Sequence, residues 1–415
     1  MSVVMFKWDK DYIHHLEKPN ESYLVLDEYD IKTYNPSPEV ISQFRKVYVI
    51  SNNDSLEEIA SIAVDIQCDD SSIDAVIPNG EFGVYGAGYL AQLLGFKGRL
   101  KQAQATRDKR LMKSQVKARG IATANYCSVP HSGECNPEQI ERQLGYPVVV
   151  KPANGAGSRA TFIARDRNEL TRCIQLSRDS IRPPTHSKSL IIEQMIQGRE
   201  YHVDALWHKG ESLFFTISQY FDNRIEQVHD GFMDGAQMVH RSDAPSLYQQ
   251  IEHLHHQVND VFEIEDGFTH LEFFLTPQGD PVFSEIATRY GGGAIVPMLN
   301  EKFGVDVIEQ AVNLAERREA RSPDKLVEQA QYVAWMIVNV EQDGIVTSIP
   351  EQERLNEHKH IASYEMNVQV GDRVKKGCHP VFPLKIILTA NSQSELNSAM
   401  AHCASTLKIC TRAEL

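Results

Sequence analysis

Lys151 closes the apolar run Val148-Val149-Val150 and is followed by the loop Asn154-Gly155-Ala156-Gly157-Ser158, and a second lysine, Lys109, follows Asp108 upstream. A lysine at the end of a buried strand projects a cation toward where a polyphosphate could lie. Backbone N–H groups of a flexible glycine loop, with the Ser158 hydroxyl, could fold over the terminal phosphates. The order of parts excludes two phosphate-binding classes. In the P-loop the lysine follows the glycines, and no Gly-Lys dipeptide occurs in this chain. In protein kinases the glycine loop precedes the strand lysine, with H-R-D and D-F-G downstream, and neither motif is present. Further along, the hairpin pattern FTHLEFFLT, PQGD, PVFSEIATR carries Glu272 and Glu285, thirteen residues apart. Two carboxylates facing each other across a hairpin repel unless a cation lies between them, and Mg²⁺ is commonly held by one or two carboxylates plus nucleotide phosphates. Glu272 and Glu285 are therefore candidate Mg²⁺ ligands. Period two puts His270 on the face of Glu272 and Phe274. Arg289 precedes Gly291-Gly292-Gly293, where an arginine could stabilise charge developing on an attacked carbonyl and glycine N–H groups could accept a substrate carboxylate.

The elements that must position these groups are legible in outline. Up to about residue 105, the runs SYLVLDEY, KVYVIS and DAVIPN alternate with the helical stretches LEEIASIAV and YGAGYLAQLLG. That alternation predicts a parallel sheet with helices on its faces, a Rossmann-like lobe. Gly83, Gly86 and Gly88 follow a strand, but their spacing is not that of a dinucleotide-binding loop. Glu81 lies just beyond a strand's carboxyl end, where ligands of open α/β sheets bind, and is a candidate substrate-binding acid. Between 106 and 192 the pattern gives helices around the strand YPVVVKP and the glycine loop, with an exposed connection over 178–188. Strands SLIIEQMI, EYHVDALWH and ESLFFTISQYF follow, then an amphipathic helix over 246–263 whose His253, His255 and His256 read as a solvated face. The polar stretch 223–240 interrupts strand-like sequence and holds Glu226 and His229, candidates for substrate binding and proton transfer. The last segment, from about 321, is a small strand-rich lobe ending in a helix near 395–406. The fold expected is thus multidomain α/β and α+β, in parts spanning 1–105, 106–192, 193–320 and 321–415.

Composition narrows the function classes. The 415 residues carry 42 Lys+Arg and 56 Asp+Glu, a formal charge of −14. Such a surface repels phosphate backbones and anionic lipid, so neither nucleic acid nor a membrane is an expected partner. No apolar run is long enough to span a bilayer, and charges occupy the N-terminus where a leader would need an apolar stretch, so a cytoplasmic enzyme is expected. Seven scattered cysteines without a C-x-x-C pair predict reduced thiols and no structural zinc.

Over about residues 105–315 the motifs, in order, resemble the ATP-grasp superfamily: Asp108-Lys109, VVVKP, NGAGS, EQMIQGRE, HLEFF and SEIATRYGGG. The resemblance implies ATP and one or two Mg²⁺ ions as cofactors. Lys109 and Lys151, with Gly155 and Ser158 of the loop, would hold the nucleotide's phosphates. Glu193, Gln194, Met195 and Ile196 would form the hinge that reads adenine, and Glu200 would take the ribose hydroxyls. Glu272 and Glu285 would bridge the metal to the β- and γ-phosphates. Ala287 stands where many relatives have an Asn ligand, which puts a second metal in doubt.

Within that superfamily HLEFF and EIATRYGGG look most like the carboxylate–amine ligases that include bacterial L-amino-acid ligases, which make dipeptides. The implied reaction joins an amino acid or related carboxylate to an amino-acid amine through an acyl phosphate, releasing ADP and phosphate. Arg289 and His229 would be its catalytic residues, and Glu81, Glu226, His270, Gly291 and Gly292 its substrate contacts. A free α-amino group is partly deprotonated near neutral pH, so His229 as a base is optional. Other readings are another ATP-grasp reaction, such as bicarbonate activation or purine-pathway amide synthesis, an ATP-binding module without turnover, and a scaffold. A homodimer is a family expectation rather than one read from residues.

Overall fold

The structure, a computed structural model, describes residues 2–413 except 70–71, 134, 226–232, 317–324, 330 and 377–381. Its N-terminal lobe is a parallel sheet of β1 (Val3–Phe6), β2 (Tyr23–Asp27), β3 (Lys46–Ile50) and β4 (Ala75–Pro78), in the order β3-β2-β1-β4. β1 goes beyond the sequence reading, because four apolar residues show no period. Every residue of β1 and β2 is buried, as expected of central parallel strands covered on both faces. The helix Leu56–Cys68 covers one face with Ile59, Ile62, Ala63 and Ile66. Helix Val84–Leu93 carries the early glycines, and these serve packing: a Cβ on Gly86 would lie 2.3 Å from Asn53 O.

The second unit is an antiparallel sheet of β5 (Tyr126–Val129), β6 (Val148–Pro152), β7 (Phe162–Ala164) and β8 (Leu190–Gln194), ordered β5-β8-β6-β7. Helices Pro137–Leu144 and Arg167–Ser180, N-capped by Asn136 and Asp166, bury Ile140, Leu144, Leu170 and Ile174 against Val148, Val150, Leu190 and Ile192. Period two then turns Val149 and Lys151 to the opposite face. The second of these helices reaches Ser180, so the exposed connection begins later than the expected 178.

The largest sheet contains β9 (Arg199–His208), β10 (Glu211–Tyr220), β11 (Met233–Met238), β12 (Gly267–Leu275), β13 (Pro281–Ala287) and β14 (Tyr332–Val338). The C-terminal stretch adds β15 (Gly344–Ser348), β16 (Ile361–Met366), β17 (Arg373–Val374), β18 (Leu384–Ala390) and β19 (Cys410–Arg412). Eight strands run in the order β13-β12-β9-β10-β11-β14-β18-β16, while β17-β15-β19 form a small separate sheet. Strands from beyond residue 321 therefore continue the sheet that holds the acidic pair.

Helix Pro245–Phe262 packs Tyr248, Ile251, Leu254 and Val258 on one face of the large sheet. Helices Ile295–Phe303 and Val307–Ala315 lie on the other face, in a core shared with Val3, Met5, Leu24 and Leu26 of the N-terminal lobe. The histidine trio of the first helix divides: His253 and His256 are exposed, but His255 is fully buried, with its Nε2 3.0 Å from Thr269 Oγ1. The expected solvated face is corrected for His255, because position 255 follows Leu254 on the inward side. The six described cysteines are free thiols, and no described helix is long and apolar enough to cross a membrane.

Candidate active site

A cleft lies between the β5–β8 sheet and the large sheet. It is lined by Lys109, Lys151, the loop 155–159, the segment 193–196, Glu200, Glu272 and Glu285. Lys109 reaches it from the first turn of helix Lys109–Ala118, whose N-cap Asp108 accepts the Arg110 N–H. Its Nζ donates to Gly155 O at 2.9 Å and lies 3.1 Å from Glu285. One turn later Lys113, 1% exposed, donates to Ser284 O at 2.9 Å and to Thr123 Oγ1 at 3.2 Å, and lies 3.5 Å from Glu193. Lys151 lies 3.0 Å from Glu193 and 3.9 Å from Glu285. Three lysines thus share two acids.

Burial alone would raise both carboxyls, but Lys113 and Lys151 hold Glu193 below its ordinary value, and Lys109 and Lys151 hold Glu285 down at about 2. Lys151 is raised against its burial by Glu193 and Glu285. Lys113, more deeply enclosed, is lowered by burial in spite of Glu193. Lys113 carries no glycine or loop signature, and only its i, i+4 relation to Lys109 could have marked it.

Glu272 and Glu285 are direct cross-strand partners on β12 and β13, as the hairpin predicts. Tyr220 donates to Glu272 at 3.3 Å. Next to them Glu200 accepts the Arg224 backbone N–H at 2.6 Å, yet burial and the Glu272 charge push its carboxyl up to about 8. Uncompensated negative charge at this end of the cleft is what a bound cation would relieve. In the hinge, the Met195 N–H is taken by Pro147 O at 3.2 Å.

Behind Glu272 lies a buried array of which the sequence reading contained only His270, as a substrate contact. His202 Nδ1 is 2.7 Å from Asp204 Oδ2, His270 Nδ1 is 2.9 Å from Asp204 Oδ1, and His270 Nε2 is 3.4 Å from Glu272 Oε1. Burial lowers His202, whereas Asp204 and Glu272 overcome burial and lift His270 to about 9. His270 is thus placed beneath the acid pair and off the cleft wall. Period-two polar residues inside the apolar run of β9 were the available signal. Gly291 packs over this array, where a Cβ would come within 2.8 Å of both Asp204 and His270, while Gly292 faces open space.

Glu81 and Arg289, 208 residues apart in sequence, meet: Arg289 Nε donates to Glu81 Oε2 at 2.8 Å. Arg107 binds the other oxygen, Oε1, and also donates to Asn154 O at 2.6 Å, tying the group to the glycine loop. Burial raises Glu81, but the two arginines and Lys109 outweigh it and the carboxyl stays below its ordinary value. Arg107 had no sequence signal beyond its closeness to Asp108. Glu226 and His229 lie outside the described residues.

The lysine pair, the glycine loop and the cross-strand acids sit in one cleft, and residues 144–298 match the family model described as an ATP-grasp domain. The chain carries an ATP-grasp domain. Its ATP-grasp fold is shared with an L-amino acid ligase from Bacillus licheniformis, with a TM-score of 0.76 over 99% of this chain and 98% of that one, at 16% identity. In sequence it is similar to the L-arginine-specific L-amino acid ligase of Bacillus subtilis, 28% identical over 280 residues, 66% of this chain and 65% of that protein. It is also similar to a D-alanine–D-alanine ligase of Bacillus velezensis, 27% identical over 263 residues, 59% of this chain and 70% of that protein. The matched stretch of the ATP-grasp chain thus spans just under two thirds of the first relative's length.

Proposed function

We propose that the protein is an ATP-dependent carboxylate–amine ligase that joins an amino acid or related carboxylate to an amino-acid amine. The observation that carries this reading is one cleft that combines Lys109, Lys151, Glu272 and Glu285, with the Glu81–Arg289 pair tied to its glycine loop by Arg107 through Asn154 O. The relatives named as amino-acid ligases support it. In the reaction, a carboxylate oxygen attacks the γ-phosphorus of ATP and ADP leaves, giving an acyl phosphate. The amine nitrogen then attacks the acyl carbon, inorganic phosphate departs, and the amine's proton is lost to solvent.

The donor set fits a divalent cation: two carboxylates face each other, and burial together with the Glu272 charge pushes Glu200 beside them up to about 8. Mg²⁺ bound there would neutralise charge on the transferred phosphoryl group. The chain's own share is positioning. Lys109 and Lys151 hold the phosphates, with Gly155 and Ser158 of the loop closing over them. Glu193, Gln194 and Ile196 read adenine, with the Ile196 N–H as donor because Met195's is used within the fold. Glu200 takes the ribose hydroxyls. Arg289, kept charged and oriented by Glu81, stabilises the oxyanion as the amine adds. His270 fixes Glu272 from below, and Gly292 leaves space for a substrate carboxylate. We assign the substrates to the region from Glu81 to the glycine triplet, in the four-part organisation given above; Glu226 and His229, the sequence candidates for substrate binding and proton transfer, lie outside the described residues.

Phosphate release from Mg·ATP against a matrix of amino-acid pairs, with mass spectrometry of each positive well, tests the reading. Release that needs two amino acids and yields a condensed product supports it. ATP-induced thermal stabilisation without any product across amino acids and bicarbonate would leave an ATP-binding module and sink the ligase assignment.

A further inference from the structure

The carboxylate of Glu272 is held from behind by one oxygen. His270 Nε2 lies 3.4 Å from its Oε1, and the Tyr220 hydroxyl donates to the same Oε1 at 3.3 Å. Among the described residues no donor takes Oε2. His270 is fixed in its turn. Its Nδ1 lies 2.9 Å from Asp204 Oδ1, and His202 Nδ1 lies 2.7 Å from Asp204 Oδ2, so both oxygens of one carboxylate are engaged and its plane is set. An ionised carboxylate only accepts, so each Nδ1 donates, and His270, between two carboxylates, donates through both ring nitrogens. His202 Nε2 has no hydrogen-bond partner among the described residues, which leaves Asp204 as the group this ring serves.

The strands dictate this grouping. Residues 202 and 204 of β9 and residues 270 and 272 of β12 share one face by period two, and the register pairs His202 with Glu272 and Asp204 with His270. His202, Asp204 and His270 are 0, 1 and 6% exposed. Apolar residues in place of such a buried charged array often hold a fold equally well, so stability alone gives no reason for Asp204. Its place two bonds behind a metal-facing acid does. Gly291 rests on the same pair, where a Cβ would stand 2.8 Å from both Asp204 Oδ1 and His270 Nδ1. The ring of His202 also lies 4.7 Å from that of Tyr220, the other donor to Oε1.

We propose that Asp204 is a positioning residue of the metal site: gripped by His202, it holds His270 so that Oε1 of Glu272 is occupied and Oε2 is left to face the cleft. This rests on the reading of Glu272 as a Mg²⁺ ligand and adds to it the residues that orient the ligand. Groups that hold a metal-ligating carboxylate from behind typically change metal affinity or activity by about 10–100-fold when removed.

The test measures Mn²⁺ binding to the full chain in complex with ADP by electron paramagnetic resonance, which needs no turnover. Four variants are compared with the wild type. Glu272→Gln removes the ligand itself and sets the scale. Asp204→Asn keeps the shape but cannot accept from both histidines, and it should weaken Mn²⁺ binding by about tenfold or more while ADP affinity at saturating Mn²⁺ stays within about twofold. His202→Phe keeps a ring beside Tyr220 and releases one oxygen of Asp204, with an expected loss of about threefold to tenfold. Thr269→Val is the control for a lost buried hydrogen bond: Thr269 accepts from Trp207 Nε1 at 2.7 Å on the other face of β12, so this variant should lower Tm and leave Mn²⁺ binding unchanged. A folded Asp204→Asn protein that binds Mn²⁺ within about twofold of the wild type overturns the proposal and leaves Glu272 as a ligand. If Asp204→Asn does not fold, the same result with His202→Phe overturns it. A loss in Thr269→Val equal to that in Asp204→Asn overturns it too, since the effect would then be one of general stability. If Glu272→Gln itself binds Mn²⁺ as the wild type does, the ligand reading falls and takes the positioning role with it.

Discussion

Replacing Glu81 by Gln keeps the shape of the side chain and removes the charge that two arginines share. The side chains of Arg107, Glu81 and Arg289 are 9, 12 and 17% exposed, so solvent screens these pairs little. Removing one partner of a buried ion pair costs about 3–5 kcal/mol, chiefly because the other charge is left uncompensated. Gln retains an acceptor oxygen, which places the loss near the lower end, about 3 kcal/mol. In a cooperative unit of 150–250 residues that corresponds to a fall in Tm of roughly 6–12 °C. Arg289 also loses the partner that orients its Nε, and a misplaced oxyanion donor costs about 10²–10³ in kcat. The assay is thermal unfolding and steady-state ligation of Glu81→Gln, Arg289→Met and the double variant. The double variant should recover part of the lost stability, since one of the two stranded cations is gone while Arg107 remains, and stay inactive. ATP-dependent stabilisation should persist in all three. A Glu81→Gln protein that keeps wild-type turnover and unfolds within about 2 °C of the wild type would refute the argument that this acid holds the arginines in place.

The phosphate site gives a second expectation: Lys151→Ala raises the KM for ATP by about 10–100-fold and abolishes nucleotide-dependent thermal stabilisation, whereas Arg165→Ala, on the exposed side of the same unit, should match the wild type in both. Glu272→Gln removes one face of the acid pair, so the Mg²⁺ concentration for half-maximal turnover should rise by about tenfold or more; an unchanged Mg²⁺ titration would exclude Glu272 as a ligand. Glu285 has a folded-state pKa of about 2 against an ordinary 4.5, so its pairing with the lysines stabilises the protein above about pH 4.5 and is lost as the pH falls toward 2. The Tm difference between wild type and Glu285→Gln should therefore be greatest near neutral pH and shrink below about pH 4.5; a difference constant with pH would contradict the assigned pairing.

Much of the site was legible in the sequence because its chemistry is local. Lys151 ends a strand whose period-two pattern sends Val148 and Val150 into the core, so the lysine had to face the other way. Glu272 and Glu285 lie on the two arms of one short hairpin, which the sequence shows, while a bulge between Glu272 and Phe273 sets the two acids directly opposite each other. The parallel N-terminal lobe followed from alternating strands and helices, except for β1, too short to show a period. Tertiary structure alone decided the rest. The charge network is long-range: Lys113 of a helix meets Glu193 of β8, Arg107 meets Arg289 through Glu81, and Asp204 joins His202 to His270. Whether a histidine is solvated or enclosed, as His255 shows, depends on which face of a helix another element covers. The free edge of β4 has no signature in residue type at all, because backbone groups are the same in every residue. Only strand order places β4 at the edge of its sheet, with a neighbour on one side alone.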